Sequence, residues 1–297
     1  MSTKESPSGE PPPSQPLDPK EFKTAQKAGW ATASEGWRKW RHRFVPATAN
    51  LNKKLVELAE IREGFRVLDV ASGIGDPALE IARKTGPKGS VLATDFSAEM
   101  LEVARERARE EGLAHLETRT MDAENLDVPP ASFDAATCRW CLMLILDPAA
   151  ACRGVRRALK PGSRFVAAVW GEPERVPFLA IPGKIAMREA GVPPPAPGTP
   201  GPLSMGKPGA LEAVVSGAGF RDVSTEIVSV DFEFASPSEY ADMLLDMSYS
   251  LRRALEDKPP EVRTKVRQGI ERAVEAFRTP EGRVRLVNET RCVRGTA

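Results

Sequence analysis

Three aspartates and a glycine turn hold most of the chemistry legible in this chain. Asp69 sits in the apolar run Val67-Leu68-Asp69-Val70, Asp95 closes Val91-Leu92-Ala93-Thr94, and Asp122 follows Met121. Between the first two lies Ser72-Gly73-Ile74-Gly75-Asp76-Pro77. Gly73 and Gly75 permit positive φ and close approach of a ligand to the backbone. Asp76 reads as a helix cap with Pro77 at the first helical position, so the free N–H groups of that helix would point into the turn. A buried strand, a glycine turn, a helix start and an acidic residue at the end of the next strand make a pocket for an adenosine-bearing cofactor. A dinucleotide would call for G-x-G-x-x-G. Ala78 stands where its third glycine would be, and the Asp69 carboxylate just before the turn would repel a pyrophosphate.

With these residues in order, Asp69-x-x-Ser72-Gly73-x-Gly75 resembles the first motif of class I S-adenosylmethionine-dependent methyltransferases. Asp95 matches that family's ribose-binding acidic residue, and Met121-Asp122-Ala123-Glu124 resembles the segment after its third strand. Ser132-Phe133-Asp134-Ala135-Ala136 and Arg157-Ala158-Leu159-Lys160-Pro161-Gly162-Ser163 resemble its fourth strand and the turn before its fifth, with Ser163 replacing a glycine. The resemblance covers roughly residues 64–171. Within the family it is closest to ubiquinone/menaquinone-biosynthesis C-methyltransferases and related small-molecule enzymes.

The resemblance implies S-adenosyl-L-methionine as cofactor. Asp69 would act near its amino group, with Ser72, Gly73 and Gly75 against its amino-acid portion and ribose. Asp95 would accept the ribose hydroxyls and Phe96 would flank the adenine. Asp122 would take the adenine amino group, with the Ala123 N–H on a ring nitrogen; Asp122 also fits a simple turn residue. Arg139, after the fourth strand, would position the cofactor carboxylate or an acceptor oxygen, or form a structural salt bridge. Trp140, Leu142 and Met143 would wall the acceptor site. Trp30, Trp37 and Trp40 could close over the cofactor, Trp40 among its contacts, where an aromatic face favours a sulfonium; helix packing is the plainer reading. No catalytic residue is assigned; the candidates are His42, as a base, and Arg139, through positioning, while His115 reads as inert. Tyr240 and Tyr249 could contact a substrate.

The elements that must position these residues alternate strand and helix, so the fold class is α/β with a doubly wound sheet. Strands are expected at 66–70, 90–94, 115–120, 133–138, 164–170, 223–233 and 284–293, and helices at 77–84, 97–111, 148–158 and 208–218. The resemblance implies a Rossmann-like seven-stranded order, 3-2-1-4-5-7-6. Residues 1–20, rich in Pro, Ser and charge, read as a disordered tail, and 21–297 as one methyltransferase domain. Within it, 21–60 reads as an N-terminal helical lid. Residues 173–208 are dense in proline and glycine, and read as a largely irregular loop. Residues 236–280 read as a helical insertion opened by the capping box Ser236-Pro237-Ser238-Glu239. Together these two segments would cap the substrate.

A chain of 297 residues with net charge +1 exerts no bulk pull on nucleic acid. It contains no apolar run long enough to span a bilayer and no apolar signal core near its start, so the cytoplasm is the expected location. Four cysteines, two of them as Cys138-x-x-Cys141, read as free thiols rather than metal ligands. The expected activity is methyl transfer to carbon or oxygen of a small apolar acceptor, quinone-like, phenolic or terpenoid. A non-catalytic sensor or partner subunit using the same pocket is the alternative. A nicotinamide oxidoreductase fits poorly, for want of a catalytic Tyr-Lys or His-Asp pair. The alternative for the inserted helices is that they only extend the core or form a homodimer contact.

Overall fold

The structure, a computed structural model, describes residues 18–196 and 198–297. The expected disordered tail therefore falls outside the described residues except for its last three. There Asp18 accepts hydrogen bonds from the N–H groups of Lys20 and Glu21 and caps the long helix α1 (Pro19–Leu58).

Seven strands form one sheet: β1 (Arg66–Val70), β2 (Ser90–Asp95), β3 (Leu116–Thr120), β4 (Phe133–Arg139), β5 (Leu159–Trp170), β6 (Arg221–Phe234) and β7 (Val284–Thr296). Their order is β3-β2-β1-β4-β5-β7-β6. The first five run parallel and β7 runs antiparallel between β5 and β6. Central strands read as continuous apolar runs because helices cover both their faces; in β1 the four residues after Arg66 are all buried. The flanking helices are α2 (Ala78–Thr85), α3 (Ala98–Glu110), α4 (Pro148–Ala158) and α6 (Ala210–Gly217). Ser97 caps α3 and Asp147 caps α4, with Pro148 at its first position.

Two local readings are overturned. Asp76 does not cap α2; its carboxylate is turned inward, 2.7 Å from the Arg107 guanidinium on α3. A buried carboxylate gains more from a charged partner than from one N–H. The proline-rich segment is also more regular than expected, since Pro177–Ala190 forms α5. Pro177 stands at its start, where a missing N–H costs nothing. Pro182 lies inside it and deprives the Phe178 carbonyl of its helical donor. The Tyr240 hydroxyl replaces that donor at 2.8 Å. The irregular part of the segment is confined to the residues beyond α5.

The insertion comprises α7 (Pro237–Met247), α8 (Tyr249–Leu255) and α9 (Pro260–Val274). Ser236 and Glu239 close the capping box, the Ser236 hydroxyl on the Glu239 N–H and the Glu239 carboxylate on the Ala235 N–H. The helix opened by this box ends at Met247, and Ser248 caps α8. α1 lies hard against this insertion. A Cβ on Gly29 would overlap the Tyr249 ring, and one on Gly36 would overlap the Asp246 carbonyl.

Candidate functional site

Ligand sites in open α/β sheets lie beyond the carboxyl ends of the strands. Here the segments after β1, β2, β3 and β4 border one continuous cavity, roofed by α1, α7 and the start of α8. Ser72, Gly73, Asp95, Phe96, Asp122, Ala123 and Arg139 all line it. Residues distant in sequence are thus brought together much as their order implied.

Asp95 anchors this face. Its Oδ2 accepts the Gly73 N–H at 2.9 Å and its Oδ1 the Ser97 N–H at 2.9 Å. Burial pushes its carboxyl up to about 6 against these backbone hydrogen bonds. Gly73 has φ +52° and little room beside Met100, so the turn can face the cavity without a side chain in the way.

Asp69 and Gly75 do not reach the cavity. Asp69 is fully buried behind the turn, where Ser72 Oγ and Thr137 Oγ1 each donate to it at 2.5 Å. Burial pushes its carboxyl up to about 6, and these two hydrogen bonds and the Arg139 charge pull the other way. Its reach to a ligand therefore runs through Ser72. Gly75, at φ +98°, packs against Leu79 and Ala104. Its lack of a side chain serves the seating of α2 on α3 rather than ligand approach.

At the far end, Asp122 caps a short turn through the Glu124 N–H, so its turn role and its cavity exposure coexist. Lys23 of α1 bridges the Asp122 and Glu124 carboxylates at 2.8 and 2.6 Å. Lys23 did not stand out in the sequence, because a lysine on a polar helix face has no spacing signature.

Arg139 is buried beside the turn, and burial pushes its pKa down, with Asp76 and Asp69 opposing. Its guanidinium donates to Asn52 Oδ1 at 2.9 Å. Asn52 in turn reaches Asp76, the partner of Arg107. Among the described residues no carboxylate forms an ion pair with Arg139, so the alternative reading of a structural salt bridge is not realised. The result is a buried cation with most of its donors uncommitted at the cavity wall.

Beyond Arg139 the wall turns apolar: Trp140, Met143, Trp170, Phe178, Met243 and Met247. Trp140 and Trp170 stack with centroids 3.9 Å apart. Leu142 is buried but does not line the cavity. Trp170 and Phe178 were not singled out in the sequence; each resembles ordinary core.

The expected aromatic roof is divided. Trp30 and Trp37 line the cavity, packing on Ile74 and Met100. Trp40 does not; its Nε1 donates to Asp246 Oδ2 at 2.7 Å, so it ties α1 to α7. Trp30 and Trp37 share one side of α1 at seven-residue spacing, while Trp40, three residues beyond Trp37 and offset by about 60°, sits at the edge of that side, against α7. His42 is exposed, stacked on Trp40 and outside the cavity, which removes it as a base candidate. His115 contacts the Ala82 carbonyl. Tyr240 is buried on Phe178, whereas Tyr249 lines the cavity.

Residues 67–162 match the family described as methyltransferase domain. The ubiquinone/menaquinone biosynthesis C-methyltransferase UbiE of Pseudomonas putida (strain F1) is 39% identical over 147 residues, covering 46% of this chain and 57% of that protein. Its counterpart from Ectopseudomonas oleovorans is 40% identical over 110 residues, covering 37% of this chain and 65% of that protein. The chain thus spans between half and two thirds of the length of these curated relatives. Among solved structures, the YcgJ protein from Bacillus subtilis superposes with TM-score 0.53 and 21% identity, covering 82% of this chain and 97% of that one. The (4+2)-cyclase SpnF superposes with TM-score 0.52 and 22% identity over 83% of this chain and 80% of its own. At these identities the superpositions speak to the fold.

Proposed function

We propose that the protein transfers a methyl group from S-adenosylmethionine to carbon or oxygen of a small apolar acceptor, a reading supported by the match of residues 67–162 to the methyltransferase domain family. The observation that carries the proposal is Asp95, a carboxylate at the end of β2, fixed by the Gly73 and Ser97 N–H groups and open to the cavity. The distribution of polarity around it fits the cofactor. Carboxylates at Asp95 and Asp122 suit the ribose hydroxyls and adenine amino group, and Arg139 at the other end suits the methionine carboxylate. Phe96 and the Ala123 N–H suit the adenine ring. Met100 and Trp37 give the intervening wall apolar and aromatic character.

S-adenosylmethionine supplies, when bound, a methyl group activated by the positive charge on sulfur. The protein's task is then mainly alignment and exclusion of water. Asp122 and Arg139 would hold the two ends of the donor and Asp95 its ribose, so the methyl position depends on the turn at Ser72 and Gly73 between them. Asp69 keeps Ser72 in place from behind. The apolar wall of Trp140, Trp170, Phe178 and the methionines shapes the acceptor compartment and keeps it dry. Thioether side chains adapt to irregular ligands, which suits a quinone-like, phenolic or terpenoid acceptor. The naming of similar proteins as quinone C-methyltransferases supports that class.

Isothermal titration tests the pocket. The proposal expects S-adenosylmethionine binding by the native chain and a loss of about tenfold or more in Asp95→Ala, the order expected for hydrogen bonds to a charged group. Undiminished affinity in that variant would remove Asp95 from the site. Because a (4+2)-cyclase shares this fold, cofactor binding alone does not establish transfer, and the fate of the methyl group has to be followed.

A further inference from the structure

Asn52 stands where helix propensity does not favour it. It lies inside α1 between the buried Leu51 and Leu55 and is itself 4% exposed, and asparagine is a poor former of helix interiors. Its amide meets two charged neighbours instead. The Oδ1 accepts from Arg139 Nη1 at 2.9 Å, and the Nδ2 donates toward Asp76 Oδ1 at 3.4 Å. A cation on one side and a carboxylate on the other fix the orientation of the amide, since a flipped amide would set donor against donor. Asp76 is already held by both terminal nitrogens of Arg107, at 2.7 and 3.3 Å. Asn52 therefore links a closed ion pair to a cation that has none.

Arg139 is oriented by little else. Its guanidinium carbon lies 4.9 Å from the Trp140 ring centroid and 5.8 Å from that of Phe44. These rings confine the group without accepting its N–H groups in the plane. Asn52 provides its one hydrogen bond among the described residues, through Nη1. Nε and Nη2 have no partner there, yet they are not sealed in the core; both keep accessible surface, and Arg139 lines the cavity. That edge of a guanidinium is a two-donor fork matched to a carboxylate. Arg83 shows the fork in use, with Nε and Nη2 on the two oxygens of Glu111 at 2.8 Å each. A buried cation calls for a counter-ion, and a carboxylate at position 52 would supply one. The amide found there directs the guanidinium and leaves its charge uncompensated.

We propose that Asn52 is a positioning residue that turns the Nε/Nη2 edge of Arg139 toward the methionine carboxylate of S-adenosylmethionine, and that its neutrality keeps the Arg139 charge for that ligand. The inference rests on the cofactor placement proposed above and deepens it. It also ties the carboxylate end of the donor to α1, while Asp95 ties the ribose to the sheet.

The test compares two ligands on the full chain, S-adenosylhomocysteine and S-adenosyl-3-thiopropylamine. The second keeps the adenosine, the sulfur and the amine and lacks the carboxylate. Titration calorimetry gives the affinity for each in the native chain, in Asn52→Asp and in Asn52→Ala. The native chain should favour the carboxylate-bearing ligand by about tenfold or more, the order expected for hydrogen bonds to a charged group. Asn52→Asp, close in shape to the native residue, should lose most of that preference, because Arg139 then pairs with the introduced carboxylate. Asn52→Ala should lose part of it, and the amine should bind both variants about as well as it binds the native chain. A preference unchanged in both variants, or a loss shared equally by the two ligands, would overturn the proposal. Unfolding of both variants would make Asn52 a structural residue and overturn it as well, as would a native chain that binds both ligands equally. A native chain that binds neither ligand would strike the function proposed above, and this inference with it.

Discussion

Asp95 sits where two demands on a carboxylate meet. Burial favours the protonated form, while the N–H groups of Gly73 and Ser97 favour the ionised one, and the balance leaves its pKa at about 6. In the proposed site the ionised form accepts the ribose hydroxyls. Cofactor affinity should therefore hold above pH 6 and weaken as pH falls through about 6, approaching tenfold per unit below it. Titration calorimetry across that window checks this. Asp69 also titrates near 6 but stands behind the turn, so Asp69→Asn should keep the fall in affinity. At Gly75 the expectation concerns stability. A methyl group there meets Leu79 at a positive φ, so Gly75→Ala should cost about 1–3 kcal/mol in denaturant unfolding. At this scale the sequence showed which residues gather but not which way they face. Asp69 and Asp95 both end or nearly end buried strands, but Asp69 pairs with Ala93 in the sheet, so Asp95 stands further along toward the carboxyl edge, within the cavity, while Asp69 stays behind the turn. His42, five residues from Trp37, lies about 140° round the helix and faces solvent, whereas Trp40 keeps nearly the side of Trp37 but is claimed by Asp246 of α7.

Elements around the cavity are joined by few, specific contacts. The first turns of α1 are tied to the segment after β3 through Lys23, on Asp122 and Glu124. These groups are partly exposed, so the tie is a modest one. Lys23→Met should leave overall stability little changed and speed amide hydrogen exchange in the first turns of α1 severalfold, as read by mass spectrometry. α5 depends on a tie of another kind. With Pro182 removing one donor, the Phe178 carbonyl relies on the Tyr240 hydroxyl. Tyr240→Phe should destabilise the protein by about 1–3 kcal/mol, the cost of an unpartnered buried carbonyl. The capping box at Ser236 was legible because its partners lie three residues apart. α5 was not, because its prolines argue for a loop until a tyrosine more than fifty residues away supplies the missing donor.

For the molecule as a whole, the strand order β3-β2-β1-β4-β5-β7-β6 places four loop segments at one edge of the sheet, and α1, α7 and α8 close over them. The sheet was legible because each apolar run and each helix start is local. The acceptor compartment was legible only at Trp140 and Met143, since Trp170, Phe178 and Met247 come from separate stretches and each reads as core. Among the described residues no helix is long and apolar enough to cross a membrane. The central claim is that this assembly moves a methyl group from a sulfonium to an apolar molecule. Its most direct test incubates the full chain with S-adenosylmethionine carrying a deuterated methyl group and a panel of phenols and hydroquinones, followed by mass spectrometry of the organic extract. The account predicts an acceptor bearing the labelled methyl group and an equal amount of S-adenosylhomocysteine, both lost in Asp95→Ala. Tight cofactor binding with the label retained on sulfur across the panel would contradict it.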